Sequence, residues 1–202
     1  LTVYTQPPKK SKRGQKINVS PIEEFCKKNK LSYRNPENLN NDQEYEFFKE
    51  LSVDLAIVVA YGKIIPKNFL GLPTLGFINI HASLLPKWRG AAPIQRAIIN
   101  QDETIGVSIM KIQEKLDSGP VLISKKINLD PKLIYGEIEE KLSIIGSDLL
   151  IESLKSITNR NAKFLNQIHT DATYAKKINK NETKINWNLN ANKVVAHIHG
   201  LS

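Results

Sequence analysis

Asp54-Leu-Ala-Ile-Val-Val-Ala-Tyr61 is apolar from Leu55 through Tyr61 and halts at Gly62. A strand with one wet face alternates apolar and polar residues, so an unbroken run predicts a strand covered on both faces, as in a parallel sheet. Upstream, Ser20-Pro21-Ile22-Glu23 has the features of a helix start: a hydroxyl N-cap, proline in the first turn and acids at the positive end of the dipole. That helix is predicted to reach about Lys30, and a second fits Asp42 to Leu51. Downstream, Gly76 to Ser83 reads as a strand stopped by Pro86, and Pro93 to Asn100 as a helix. Thr104 to Ile112 and Val121 to Leu129 read as strands around a turn at Asp117-Ser118-Gly119, and Gly136 to Ile157 as a long amphipathic helix. At the beginning, Leu1 to Thr5 is a short strand broken by Pro7-Pro8, and Lys9 to Lys16 reads as an exposed basic loop. Helices alternating with buried strands predict a three-layer α/β domain with a mostly parallel sheet.

With 202 residues, 41% hydrophobic and 24% charged, the chain has an ordinary globular composition. Its longest apolar run falls far short of the roughly 20 residues that span a bilayer, so no membrane association is expected. No secretory pattern opens it. The single cysteine, Cys26, excludes an intramolecular disulfide framework and a cysteine metal site, and a reducing, cytoplasmic setting is expected. The net charge of +9 fits a polyanionic partner, although lysine-rich composition alone also yields such a value. The distribution is more informative: residues 1–30 hold eight Lys or Arg against two Glu. Both ends are expected to be cut, since the chain opens on Leu inside a strand and closes on Ala-His-Ile-His-Gly-Leu-Ser.

The chemistry concentrates in Gly76-Phe-Ile-Asn-Ile-His-Ala-Ser-Leu-Leu-Pro-Lys-Trp-Arg-Gly90. Side chains alternate along a strand, so Phe77, Asn79, His81 and Ser83 share one face. Three polar groups on one face of an interior strand are costly unless they do something. Asn79 and His81 should lie about 7 Å apart along the strand, a spacing from which two groups can approach one substrate. Imidazole can act as acid or base near neutrality, and a carboxamide can donate to a developing oxyanion. Such a pair suits acyl transfer, with a carboxylate as third member. Asp117 is the best candidate, although an Asp before Ser-Gly also forms turns on its own account. There is no Gly-x-Ser-x-Gly elbow, dinucleotide fingerprint or phosphate loop. His81, His169, His197 and His199 lack zinc-like spacing, so no metal is expected.

Asn79-Ile-His-Ala-Ser-Leu-Leu-Pro86 closely resembles the Asn-x-His-x-Ser-Leu-Leu-Pro signature of the 10-formyltetrahydrofolate-dependent formyltransferases, and Leu116-Asp-Ser-Gly119 resembles their second signature. The resemblance implies a Rossmann-like fold in which Asn79, His81 and Asp117 carry formyl transfer. It also implies folate contacts from Ser83, Leu84, Leu85 and Pro86, with the formyl donor as a substrate and no metal.

Branches of that family act on glycinamide ribonucleotide, nucleotide-linked amino sugars, water or initiator methionyl-tRNA. Trp88-Arg-Gly-Ala-Ala-Pro-Ile-Gln-Arg96 resembles the tRNA-acting branch, as do Val3-Tyr-Thr-Gln-Pro7 with its basic loop, Thr173-Tyr-Ala-Lys-Lys-Ile178, and Ile185-Asn-Trp187. This resemblance implies tRNA contacts from Arg13, Lys12 and Lys16 and a monomeric enzyme. The loop departs from the family in reading Pro7-Pro-Lys-Lys-Ser-Lys-Arg13, without the usual Asp and Gly. By the same comparison, residues 1–178 are a catalytic domain short of its first strand and helix, with an open edge expected beside Leu1 to Thr5. Residues 179–202 are then a connector toward an absent C-terminal β-barrel. The rival readings are transfer to a small amine such as a sugar nucleotide, hydrolysis of the formyl donor, and a non-catalytic nucleic-acid-binding module. The basic loop argues against the first, and the Asn-x-His-x-Ser face beside a turn Asp against the last.

Overall fold

The computed structural model describes residues 1–11 and 16–202, with side chains outside 10–17. Lys12 and Arg13, which the sequence reading assigns to tRNA, lie outside the described residues, as does the side chain of Lys16. The chain divides into two compact units, Leu1–Phe77 and Ile78–Ser202.

In the first unit β1 (Val3–Tyr4), β2 (Lys9–Ser11) and β3 (Lys16–Asn18) precede α1 (Pro21–Lys28). After these come β4 (Tyr33–Arg34), α2 (Asp42–Glu50), β5 (Ala56–Val59) and the short α3 (Lys67–Leu70). β1 pairs in parallel with β4. The basic segment read as a plain loop contains an antiparallel pair, Lys9 opposite Asn18 and Ser11 opposite Lys16. Ser20 caps α1 as its sequence predicts, its hydroxyl accepting from the Glu23 N–H at 3.0 Å. Asn41 does the same for α2, accepting from the Glu44 N–H at 2.8 Å.

An aromatic cluster fills this unit. Phe48 stacks on Phe77 with ring centroids 5.7 Å apart and meets Phe69 at 5.4 Å and Tyr4 at 5.9 Å. Cys26 is buried within the core and carries no disulfide.

Glu44 is only 7% exposed. It survives burial because Arg34 grips both carboxylate oxygens, Nε donating to Oε2 at 2.9 Å and Nη2 to Oε1. The hydrogen bonds from Arg34 hold the Glu44 carboxyl below its ordinary value of 4.5. A depressed carboxylate stabilises the fold above its unfolded pKa, and that contribution is lost as pH falls through the folded value. Glu44→Gln is therefore expected to cost about 1–3 kcal/mol near neutrality, because it leaves a half-buried guanidinium poorly matched. Urea midpoints measured from pH 7 down to 3 should show the wild type losing its advantage over the variant below about pH 4.5. A constant gap across that range would contradict the assignment.

The second unit continues β6 (Phe77–His81) and adds β7 (Arg89–Gly90), α4 (Pro93–Ile99), β8 (Thr104–Lys111) and β9 (Val121–Asn128). α5 (Tyr135–Thr158), β10 (Tyr174–Ala175) and α6 (Ala191–Leu201) complete it. The expected α/β layering is present, but the strand directions here differ from a mostly parallel sheet. β6 pairs antiparallel with β8, and β8 antiparallel with β9, whereas β7 and β10 run parallel. The short link through Asp117 explains the β8–β9 direction, since a parallel partner needs a crossover of a dozen or more residues.

α5 buries Ile138, Leu142, Gly146, Leu149, Ser153 and Ile157, a stripe at helical spacing. It lies so close to the sheet that a Cβ on Gly146 would come within 3.0 Å of Ile80 Cγ2 and 3.6 Å of Val107 Cγ1. The segment from 179, read as a connector, holds a 3-10 turn at Lys180–Thr183 and then α6. α6 packs on α4, with the position of a Gly200 Cβ lying 2.8 Å from Ile99 Cγ1.

Candidate active site

Alternation along β6 separates packing from chemistry. Ile80 lies opposite Ile109, and that face carries α5. The other face carries Asn79 opposite Met110 and His81 opposite Ser108. The side-chain amide of Asn79 is partly exposed and makes no hydrogen bond to the described residues. His81 is 6% exposed.

The ring of His81 has one nitrogen committed. Nε2 lies 2.9 Å from the Trp88 carbonyl. A carbonyl only accepts, so Nε2 carries the hydrogen and the neutral ring presents a bare Nδ1. Nδ1 faces Asp117 Oδ2 at 3.8 Å, beyond hydrogen-bond range. A lone pair and a carboxylate oxygen thus converge on a gap suited to a donor such as an amine N–H.

Backbone geometry builds this arrangement. Trp88 is left-handed, φ +59°, and is pinned on both sides: its N–H donates to Thr173 Oγ1 at 2.9 Å and its indole Nε1–H to Asp102 Oδ2 at 2.6 Å. Asp117 also takes a left-handed conformation, φ +47°. The Gly90 N–H donates to Asp117 Oδ2 at 2.8 Å. Gly90 sits at φ +120°, and a Cβ there would lie 2.7 Å from the Ala175 carbonyl oxygen, so only glycine lets β10 approach and leaves this N–H free for the carboxylate.

The loop after β6 is held from below by Ser108, which is fully buried. Its hydroxyl donates to the Ser83 carbonyl at 2.7 Å, accepts from the Leu85 N–H at 3.2 Å and meets Ser124 Oγ at 2.8 Å. Ser83 is 1% exposed, and its own hydroxyl donates to the Lys87 carbonyl at 2.6 Å. Ser83 therefore shapes the loop from inside, while Leu84, Leu85 and Pro86 remain partly exposed. Leu85–Pro86 is a cis peptide.

The expected Asn79, His81 and Asp117 fall in one unit, His81 and Asp117 face to face. Sequence reasoning missed Ser108, Gln167 and the Trp88 carbonyl. Ser108 is recoverable in principle as a polar residue inside the apolar run of β8, but Gln167 sits in no motif. His197 Nε2 meets the Glu182 carbonyl at 2.7 Å and His199 Nδ1 the Pro131 carbonyl at 3.0 Å. Among the described residues no three His, Cys, Asp or Glu gather as metal ligands. A surface hollow lined by Arg96, Tyr174, Lys176, Asn179 and Glu182 does not include this centre.

Residues 1–154 match the family described as formyl transferase. The chain belongs to the formyl transferase family. Among curated formyl transferases, it is 53% identical over 200 residues to the methionyl-tRNA formyltransferase of Pelagibacter ubique, covering 98% of this chain and 64% of that protein. It is 41% identical over 202 residues to the methionyl-tRNA formyltransferase of Parvibaculum lavamentivorans, covering 100% of this chain and 65% of that one. The chain thus spans just under two thirds of the length of these relatives. Among solved structures it is similar to a 4-N formyltransferase from Francisella tularensis, with TM-score 0.76, 16% identity, and coverage of 100% of this chain and 88% of that chain. A sugar N-formyltransferase from Shewanella gives TM-score 0.75 at 20% identity, covering 88% of this chain and 70% of that chain. Both likenesses bear on the fold alone. No described helix is long and apolar enough to cross a membrane.

Proposed function

We propose that the protein transfers the formyl group of 10-formyltetrahydrofolate to the α-amino group of initiator methionyl-tRNA, as a monomer in the cytoplasm. The observation that carries the chemistry is the 3.8 Å convergence of the bare His81 Nδ1 and the Asp117 carboxylate, on the same sheet face as the unengaged Asn79 amide. The names of the 53% and 41% identical relatives support methionyl-tRNA as acceptor.

In this reading the neutral amine nitrogen bonds to the formyl carbon, and Asn79 donates to the formyl oxygen as it gains charge. The amine's proton passes to His81 Nδ1, with Asp117 balancing the imidazolium. The bond from the formyl carbon to the folate nitrogen then breaks, and that nitrogen takes up the proton. The Trp88 carbonyl keeps a hydrogen on Nε2 throughout, so that Nδ1 is the nitrogen that gains and gives up the proton. The inward-turned Ser83 and the partly exposed Leu84, Leu85 and Pro86 would form the wall against the folate.

The test offers the full-length protein 10-formyltetrahydrofolate with charged initiator tRNA, with nucleotide-linked amino sugars, or with water as sole acceptor. Formylation of the tRNA is expected. Preferential formylation of a sugar, or formate release alone, would replace this reading by one of its rivals.

The assignment of Arg13, Lys12 and Lys16 to tRNA rests on the resemblance of their loop and makes its own prediction. Arg13→Ala should leave folate binding unchanged and flatten the slope of log affinity for tRNA against log salt by about 1, the signature of one lost phosphate contact. Lys12 and Lys16 variants should act in the same direction but less, since guanidinium can grip phosphate through two parallel bonds. An unchanged slope would remove the loop from tRNA recognition.

A further inference from the structure

Gln167 lies outside every motif, yet it is 8% exposed and uses its whole hydrogen-bonding capacity. Its Nε2 donates to the Asp117 carbonyl at 2.9 Å and the Gly119 carbonyl at 2.6 Å. Its Oε1 accepts from Arg89 Nε at 3.0 Å and Nη2 at 2.7 Å. Arg89 is itself 3% exposed, and its Nη2 also reaches His169 Nδ1 at 3.0 Å.

These contacts close a ring. The side chain of Arg89 holds Gln167, Gln167 holds the backbone of the Asp117 turn, and the Asp117 carboxylate returns to the N–H of Gly90, the residue after Arg89. The turn has ties of its own, the Lys111 N–H to the Pro120 carbonyl at 2.9 Å and the Ser118 N–H to the Lys115 carbonyl at 3.3 Å, but only Gln167 reaches the carbonyls of Asp117 and Gly119 among the described side chains. Without the Gly90 N–H, the Gln167 bonds would hold the turn but not its carboxylate. Both together set where Oδ2 points, and Oδ2 is the atom that faces His81 Nδ1.

We propose that Gln167 is a positioning residue, acting through the Asp117 turn to hold the carboxylate at its working distance from His81. The inference rests on the formyl-transfer reading above.

The experiment uses two variants in the full-length protein. Gln167→Met removes all four bonds. Gln167→Glu keeps an acceptor for Arg89 but loses both N–H donors to the turn. Each is expected to lower kcat about 10-fold or more, since small misplacements at a reacting centre are costly, while leaving KM for 10-formyltetrahydrofolate unchanged. The amide signal of Gly90, whose N–H donates to Asp117 Oδ2 at 2.8 Å, should move in both as the carboxylate leaves its place, a readout that needs no turnover. If wild type formylates nothing while the Gly90 amide signal still moves in the variants, the functional reading fails and the positioning role stands. Wild-type kcat with an unmoved Gly90 amide signal in either variant would overturn the proposal. So would a Gln167→Glu protein restored to wild-type behaviour, which would reduce Gln167 to a partner for the buried Arg89.

Discussion

His81→Ala is expected to lower turnover at least about 100-fold, the usual range for losing a general acid–base. Deleting the ring removes Nδ1, the proposed base, together with the hydrogen bond that ties Nε2 to the Trp88 carbonyl at 2.9 Å. Asp117→Asn should produce a loss of the same order by another route. The amide still offers an oxygen to the Gly90 N–H, but the negative charge 3.8 Å from Nδ1 is gone. Asn79→Ala should join them, since losing one oxyanion donor typically costs on the order of 100-fold. Far-ultraviolet dichroism and urea midpoints should stay near wild type for Asp117→Asn, which conserves volume. Single-turnover kinetics on the full-length protein would separate a lost chemical step from lost binding. Near-normal turnover in any of the three would mean that the convergence of these groups is not the reacting centre.

The second large effect is structural. A Cβ at Gly119 would lie 1.9 Å from the carbonyl oxygen of Lys111 and 3.0 Å from its carbonyl carbon. Both obstacles are backbone at the end of β8, and the Lys111 N–H is tied to the Pro120 carbonyl at 2.9 Å, so no side chain can swing aside. Gly119→Ala is expected to destabilise by about 3 kcal/mol or more, at the upper end of overpacking costs. It should also cost turnover, because relief means shifting the turn that carries Asp117. Gly136 is the matched control. It stands in the first turn of α5 with nothing within 4 Å of its Cβ position, so Gly136→Ala should be neutral or slightly stabilising. Urea midpoints of the two variants side by side decide the matter. A Gly119→Ala protein as stable as wild type would show that the turn yields easily and that Gln167 does not hold it tightly.

Local regularities carried the sequence reading. The cap of α1 at Ser20 and the stripe of α5 were legible because a helix is specified within a few turns of chain. The common face of Asn79 and His81 followed from the period-2 geometry of any strand. The family signatures around Asn79 and Asp117 were legible because they are contiguous.

What tertiary structure alone decided lies in contacts between distant residues. Gln167 reaches Arg89 across 78 positions and Asp117 across 50, and nothing near Gln167 distinguishes it from a surface glutamine. Ser83 was legible as a member of the polar face, but only the fold turns its hydroxyl onto Lys87 and its carbonyl onto Ser108. The antiparallel direction of β6 against β8 was equally hidden, because an apolar run gives the same periodicity parallel or antiparallel. Residues 179–202 read as a connector, and within them α6 forms where its apolar side meets α4. Sequence alone determined the local geometry of each element and the chemistry offered by β6. Where the carboxylate stands relative to the imidazole was settled by a ring of hydrogen bonds that exists only once the chain has closed on itself, since a donor and acceptor far apart in sequence acquire a fixed distance only through the packing between them.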